Sequence, residues 1–165
     1  MQLHDLQDLY VDQLRDLYSA ENQLVKALPK MVKAASNEQL SESFEQHLEQ
    51  TRGHVDRLKQ VFDKLGKKPT GKVCKAMQGL IEEAKETMEE DADPEVMDAG
   101  LIAAAQRVEH YEIAGYGTVR SFAKLLGDTA AARLLQQTLD EEGETDKKLS
   151  RLAETTINVE AARPA

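Results

Sequence analysis

Apolar residues recur along this chain with the period of a helix, and no stretch shows the alternation of a strand. Between residues 101 and 123, Leu101, Ala105, Val108, Tyr116, Val119 and Ala123 share one stripe when the chain is wound at about 100° per residue. Glu112 sits at the centre of that stripe, where an apolar side chain belongs, and Glu109 lies about one turn earlier on its edge. A carboxylate taken into a bundle interior costs several kcal/mol unless it is protonated, paired or bound to a metal.

The same arrangement occurs earlier in the chain. From Leu9 to Ala35 the stripe is Tyr10, Leu14, Leu17, Val25, Leu28 and Val32, with Glu21 at its centre. A shift of 91 residues carries Glu21 onto Glu112, Leu48 onto Leu139 and Leu58 onto Leu149. It also lays the break at Ser36-Asn37 over the break at Gly127-Asp128. The chain therefore reads as two helical hairpins of one design.

Taken in order, the first helix is expected from near Leu3 to about Ala35, with Pro29 removing one hydrogen bond and kinking it. Asn37 caps a second helix whose inner stripe is Leu40, Phe44, Leu48, Thr51, Val55, Leu58 and Phe62, ended by Gly66 to Gly71. Lys72 to Glu90 forms a shorter helix carrying Val73, Met77, Leu80, Ile81 and Met88, followed by a solvated acidic run. Asp93-Pro94 starts a third long helix to Leu126, and Asp128 caps a fourth that frays after about Asn158. Neighbouring antiparallel helices need only short loops, so a connector of nearly 30 residues (66–93) carries the chain back along the bundle. This predicts one all-α domain over residues 1–165, a ferritin-like four-helix bundle with hairpins at 3–65 and 94–158 and a long crossover containing a short fifth helix. A pseudo-twofold between the hairpins brings Glu21 and Glu112 to one mid-bundle layer.

Composition narrows the function. With 41% hydrophobic and 31% charged residues, and no apolar run near the ~20 that a membrane span requires, the chain is expected to be soluble. The net charge of −9 leaves no basic face for nucleic acid. The single Cys74 forbids an internal disulfide and reads as a small buried hydrophobe on the short helix. The N-terminus has neither a basic nor an apolar leader region, which gives a cytoplasmic expectation.

The other two long helices add donors to the Glu21/Glu112 layer. On the fourth, Glu142 and Asp146 replace apolar residues in the row Leu135, Leu139, Leu149. On the second, His47, Thr51 and His54 lie at the edge of the inner stripe, with Gln50 beside them. The candidate metal ligands are Glu21, His54, Glu109, Glu112, Glu142 and Asp146, with His47 and Gln50 ranked behind them. Oxygen and imidazole donors converging from four helices suit iron or manganese, one or two ions. The di-metal pattern of ferritin-like bundles pairs a Glu from each of two helices with Glu-x-x-His from each of the others. Only the first half is present, so a site here is irregular. The competing reading is a metal-free buried acid, hydrogen-bonded by Tyr18, Tyr111, Tyr116 or a His.

The stretches Leu17-Tyr-Ser-Ala-Glu-Asn-Gln-Leu24, His47-Leu-Glu-Gln-Thr51, Gly79-Leu-Ile-Glu-Glu-Ala84, Leu101-Ile-Ala-Ala-Ala-Gln-Arg-Val-Glu-His-Tyr-Glu-Ile-Ala114 and Leu139-Asp-Glu-Glu142 carry a closer likeness. In them the chain resembles, over nearly its full length, the bacterial stress-induced ferritin-like family typified by YciF and YciE. The resemblance implies a rubrerythrin-like fold, a homodimer, a metal site and an association with stress responses, and it implies no established reaction. Gln50 stands where members of that family often carry Glu.

Three functions compete at this point: a di-iron or manganese protein reacting with peroxide or oxygen, a metal-binding protein without turnover, and a structural stress protein with a vestigial site. The chain has no rubredoxin-like Cys pairs to feed electrons to a site. Part of the apolar surface of the crossover helix, with Met77, Leu80, Ile81 and Met88, is expected to face a second subunit, because four helices already close a core.

Overall fold

The computed structural model describes residues 3–163, and Met1, Gln2, Pro164 and Ala165 lie outside them. Helices α1 (Leu6–Ala34), α2 (Glu38–Leu65), α3 (Lys75–Glu89), α4 (Pro94–Leu125) and α5 (Thr129–Leu152) follow one another, with no strand among the described residues. A π-helical turn, Ala153–Ile157, continues α5 into the short α6, Asn158–Ala161. Helix thus persists past the fraying expected after Asn158, because Ile157 is anchored in the core.

Side-chain caps set most of the boundaries. Asp5 accepts from the Asp8 N–H at 2.8 Å, so α1 starts three residues later than expected from Leu3. Asn37 caps α2 through the Leu40 N–H at 3.1 Å, and Gly66 ends it in the left-handed region at φ 60°. Helix α3 starts at Lys75, not Lys72, because Cys74 is its cap, the Sγ accepting from the Met77 N–H at 3.4 Å. Cys74 is fully buried, as expected, but stands before the helix instead of on it. Asp128 caps α5 through the Ala131 N–H at 2.9 Å. Asp98, buried in the first turns of α4, accepts the N–H groups of Ser36 and Asn37 at 2.8 Å each. It ties the start of one hairpin to the turn of the other.

The hairpins α1–α2 and α4–α5 pack with α1 on α4 and α2 on α5, while α3 lies across α1 and α4. This is a ferritin-like four-helix bundle with a helical crossover. Its apolar core is in two halves. One, beside the α1–α2 turn, gathers Leu24, Leu28, Phe44, Leu101, Ile102 and Leu149 with Cys74 and Met77. The other, beside the α4–α5 turn, gathers Tyr10, Leu14, Phe62, Tyr116, Val119 and Leu135. Met77 is fully buried, and Leu80, Ile81 and Met88 pack against the first half, so the crossover helix spends its apolar face on its own bundle. Leu80, Ile81 and Met88 remain only partly buried there. Among the described residues no helix is long and apolar enough to cross a membrane.

Candidate metal centre

Between the two apolar halves lies a polar layer. Glu21 comes from α1, His47, Thr51 and His54 from α2, Glu109 and Glu112 from α4, and Glu142 from α5, all at most 3% exposed. Helical spacing sets the order. His47 and His54 are two turns apart and share a face of α2, as Glu109 and Glu112, three apart, share a face of α4. Ligand atoms of His47, Glu109, Glu112 and Glu142 lie within 4.8 Å of one another, as do those of Glu21, His54 and Glu142. Glu142 belongs to both groups.

Within the layer, His54 Nδ1 stands 3.3 Å from Glu21 Oε1 and 3.0 Å from Glu142 Oε1. His47 Nε2 stands 3.0 Å from Glu109 Oε1 and 3.8 Å from Glu142 Oε2. These are close approaches without hydrogen-bond geometry. His47 Nε2, His54 Nδ1, Glu21 Oε2, Glu109 Oε2 and both oxygens of Glu112 and of Glu142 are buried with no hydrogen-bond partner. The Tyr116 hydroxyl donates to Glu21 Oε1. On the outer side of the imidazoles, His54 Nε2 is 2.9 Å from Glu141 Oε2, and Arg57 forks onto Glu141 with two bonds of 2.7 Å. His47 Nδ1 faces Gln50 Oε1 and Thr145 Oγ1, each at 3.4 Å.

Burial dominates the electrostatics. It pushes the Glu109 and Glu142 carboxyls up to about 8, although neighbouring His54 opposes this at both. Glu112 is raised well above the carboxylate range by burial and then by the charges of Glu21, Glu142 and Glu109. For His54 burial favours the neutral ring, but Glu21, Glu141 and Glu142 together outweigh it and push the imidazole up to about 12. Glu141 is also penalised by burial, yet His54 and Arg57 hold it down at about 2. Without a metal, then, charged His54 offsets part of the negative charge and the remaining acids are drawn toward their neutral forms.

The structure brings Glu21, His54, Glu109, Glu112 and Glu142 together, and adds His47 as a full member of the layer. Gln50 is one shell out, against the back of the His47 ring. Asp146 is not among the converging groups. Its Oδ1 takes the Gln106 amide at 3.0 Å and lies 3.2 Å from exposed His110 Nε2, so the shorter side chain turns along the α4–α5 seam and away from the layer. Of the tyrosines named as partners for the acids, only Tyr116 reaches one. Tyr111 donates to Asp16 and lies 3.0 Å from Cys74 Sγ, and Tyr18 packs edge-on against Phe62. Glu141 and Arg57 escaped the sequence reading, since an acid in the run 140–146 looks solvated and its partners lie 84 and 87 residues away.

Four helices in two hairpins, a helical crossover and an interior layer of carboxylates and imidazoles define a ferritin-like protein. The chain belongs to the family described as a domain of unknown function, DUF892, whose pattern matches residues 5–162. It is 48% identical over 166 residues, the whole of both chains, to Protein YciF of Escherichia coli K12. The crystal structure of that stress protein superposes with a TM-score of 0.91 at 49% identity, covering 94% of this chain and 99% of that one. YcfI of Rhodopseudomonas palustris gives 0.88 at 48% identity, over 90% and 95% of the two chains. A two-domain protein of Anabaena variabilis, with DJ-1/ThiJ/PfpI-like and ferritin-like domains, matches 98% of this chain and 40% of its own at a TM-score of 0.65 and 17% identity, a likeness of fold alone.

Proposed function

We propose that the mid-bundle layer binds iron or manganese, with Glu21, His54 and Glu142 around one position, His47, Glu109, Glu112 and Glu142 around a second, and Glu142 between them. One observation supports this above the others: eight donor atoms on these six side chains, buried and without hydrogen-bond partners, converge on a single layer. Buried polar atoms in folded proteins are ordinarily paired, and an orphaned cluster calls for an occupant. Carboxylate oxygens with two imidazole nitrogens fit a divalent first-row ion.

A bound iron or manganese ion supplies redox chemistry toward peroxide or oxygen. The chain's own part is to hold and shield. Tyr116 fixes the carboxylate of Glu21, and the two apolar half-cores exclude bulk water. A cavity of about 20 Å³ beside His47 and Glu109, walled by Leu24, Met31, Phe44 and Leu149, has room for about one water-sized molecule. From YciF, a stress protein by its description, we extend an association with stress to this chain.

The competing reading is a structural stress protein with a vestigial layer. It draws on charged His54, which lets the layer stand without a metal. Elemental analysis of protein purified without chelators, then loaded anaerobically with Fe(II), decides between them. About one to two atoms per chain is expected for this donor set, and none after loading leaves the structural reading.

A further inference from the structure

The two imidazoles of the layer face it with different nitrogens. His54 presents Nδ1 to Glu21 and Glu142, while His47 presents Nε2 to Glu109 and Glu142. What lies behind each ring differs as well. Behind His54 is a carboxylate, Glu141, at 2.9 Å from Nε2 and itself clamped by both Arg57 nitrogens at 2.7 Å. Arg57 is fixed in turn by the Thr138 hydroxyl at 3.1 Å. Behind His47 are an amide oxygen and a hydroxyl, both neutral and both at 3.4 Å.

A neutral imidazole carries one N–H and one lone pair, so a partner that takes the N–H decides which nitrogen can bind a cation. Glu141 can only accept from Nε2, which leaves the lone pair on Nδ1, toward the layer. An acceptor that is also an anion makes the imidazole a better donor to a metal than an amide does. Arg57 keeps that carboxylate from swinging to solvent, since a bidentate fork fixes both of its oxygens.

Resting on the metal-binding reading above, we propose that Glu141, clamped by Arg57, is a positioning residue that commits His54 to bind a cation through Nδ1. The two cation positions are then inequivalent, one built on an Nδ1 imidazole with a charged backing and the other on an Nε2 imidazole with a neutral one. Glu141 touches no cation itself. A merely structural role, a salt bridge stapling α2 to α5, would alter stability and leave ligation unchanged.

Zn(II), which is diamagnetic, serves as the probe. Nitrogen-15 NMR of Zn(II)-loaded, histidine-labelled wild-type protein is expected to show His54 metallated at Nδ1 and protonated at Nε2, with His47 the reverse. His54 metallated at Nε2 overturns the proposal without any variant having to fold. Calorimetric titration with Zn(II) follows for wild type, Glu141→Ala, Glu141→Gln and the exposed control Glu144→Ala. Glu141→Ala is expected to weaken one of the two equivalents by about 10–100-fold, as loss of such a partner does elsewhere, and to leave the other nearly unchanged. Glu141→Gln, which keeps an acceptor but not the charge, should fall between, and Glu144→Ala should match wild type. Two equal equivalents in wild type, or a Glu141→Ala titration that overlays it, reject the inference while metal binding stands. A wild-type protein that takes up no Zn(II), Mn(II) or Fe(II) rejects the metal-binding reading, and the inference falls with it.

Discussion

Glu112 keeps both carboxylate oxygens inside the protein without a donor, and Glu21, its counterpart in the other hairpin, has a tyrosine hydroxyl and an imidazole beside it. The two acids should therefore answer differently to the same substitution. In metal-free protein, Glu112→Gln removes a group that is raised well above the carboxylate range. A raised carboxyl binds its proton more tightly folded than unfolded, so its contribution is full below the unfolded value and is lost as pH rises through the folded one. The variant should match wild type near pH 5 and become more stable than it, by about 1–2 kcal/mol, on the alkaline side. Glu21→Gln removes a counter-charge of His54 and should destabilise the metal-free protein at neutral pH. Urea unfolding at several pH values checks both, and a Glu112→Gln deficit that grows with pH contradicts the account. Both acids were legible from sequence because each interrupts an apolar stripe. The imidazoles were half legible. The 91-residue shift that pairs Glu21 with Glu112 also carries His47, Thr51 and His54 onto Thr138, Glu142 and Thr145, so the hairpins exchange a titratable residue of the layer and a threonine at three matched positions. That correspondence, with the two-turn spacing of the histidines, was the available signal for His47.

Helices were easier to read than their joints. Each long helix follows from its periodicity, and its ends moved by at most a few residues where a side-chain cap intervened. The Asp98 clamp on the α1–α2 turn could not have been read locally, since it joins residues 61 and 62 apart. The approach of α1 to α4 is similarly long-range and turns on one glycine. A Cβ at Gly115 would meet Leu17 Cδ2 at 2.7 Å, and Leu17 is itself 2% exposed in the packed half-core, whereas a Cβ at Gly117 meets nothing within 4 Å. Gly115→Ala should destabilise by about 1–2 kcal/mol, overpacking outweighing the gain in helix propensity. Gly117→Ala, with the gain and no clash, should stabilise by about 0.5–1 kcal/mol. Equal effects at the two positions in thermal unfolding would mean that the α1–α4 contact is looser than these distances.

For the molecule as a whole, the polar layer links stability to pH and, on the proposed function, to metal. Glu109 and Glu142 rise from 4.5 to about 8 on folding, and His54 from 6.5 to about 12. All three are raised, so all three give stability at low pH that is lost as pH climbs, the carboxyls between about 4.5 and 8 and the histidine between 6.5 and 12. The metal-free protein should thus melt at progressively lower temperature from pH 5 to pH 8, and Mn(II) should restore the loss most strongly at the upper end, where the ligands ionise. A metal-free Tm that climbs across that range refutes the assignment. The division of the core has a further effect on motion. Every long helix of the bundle crosses the layer, but apolar contact stops there, and only the half beside the α1–α2 turn is roofed by α3. Backbone amides on the two sides should then exchange with solvent as separate cooperative units when no cation is present, the unroofed side opening first. A cation bound to all four helices would join those units, so that amides some distance along the bundle in either direction slow together and protection becomes a single, molecule-wide property.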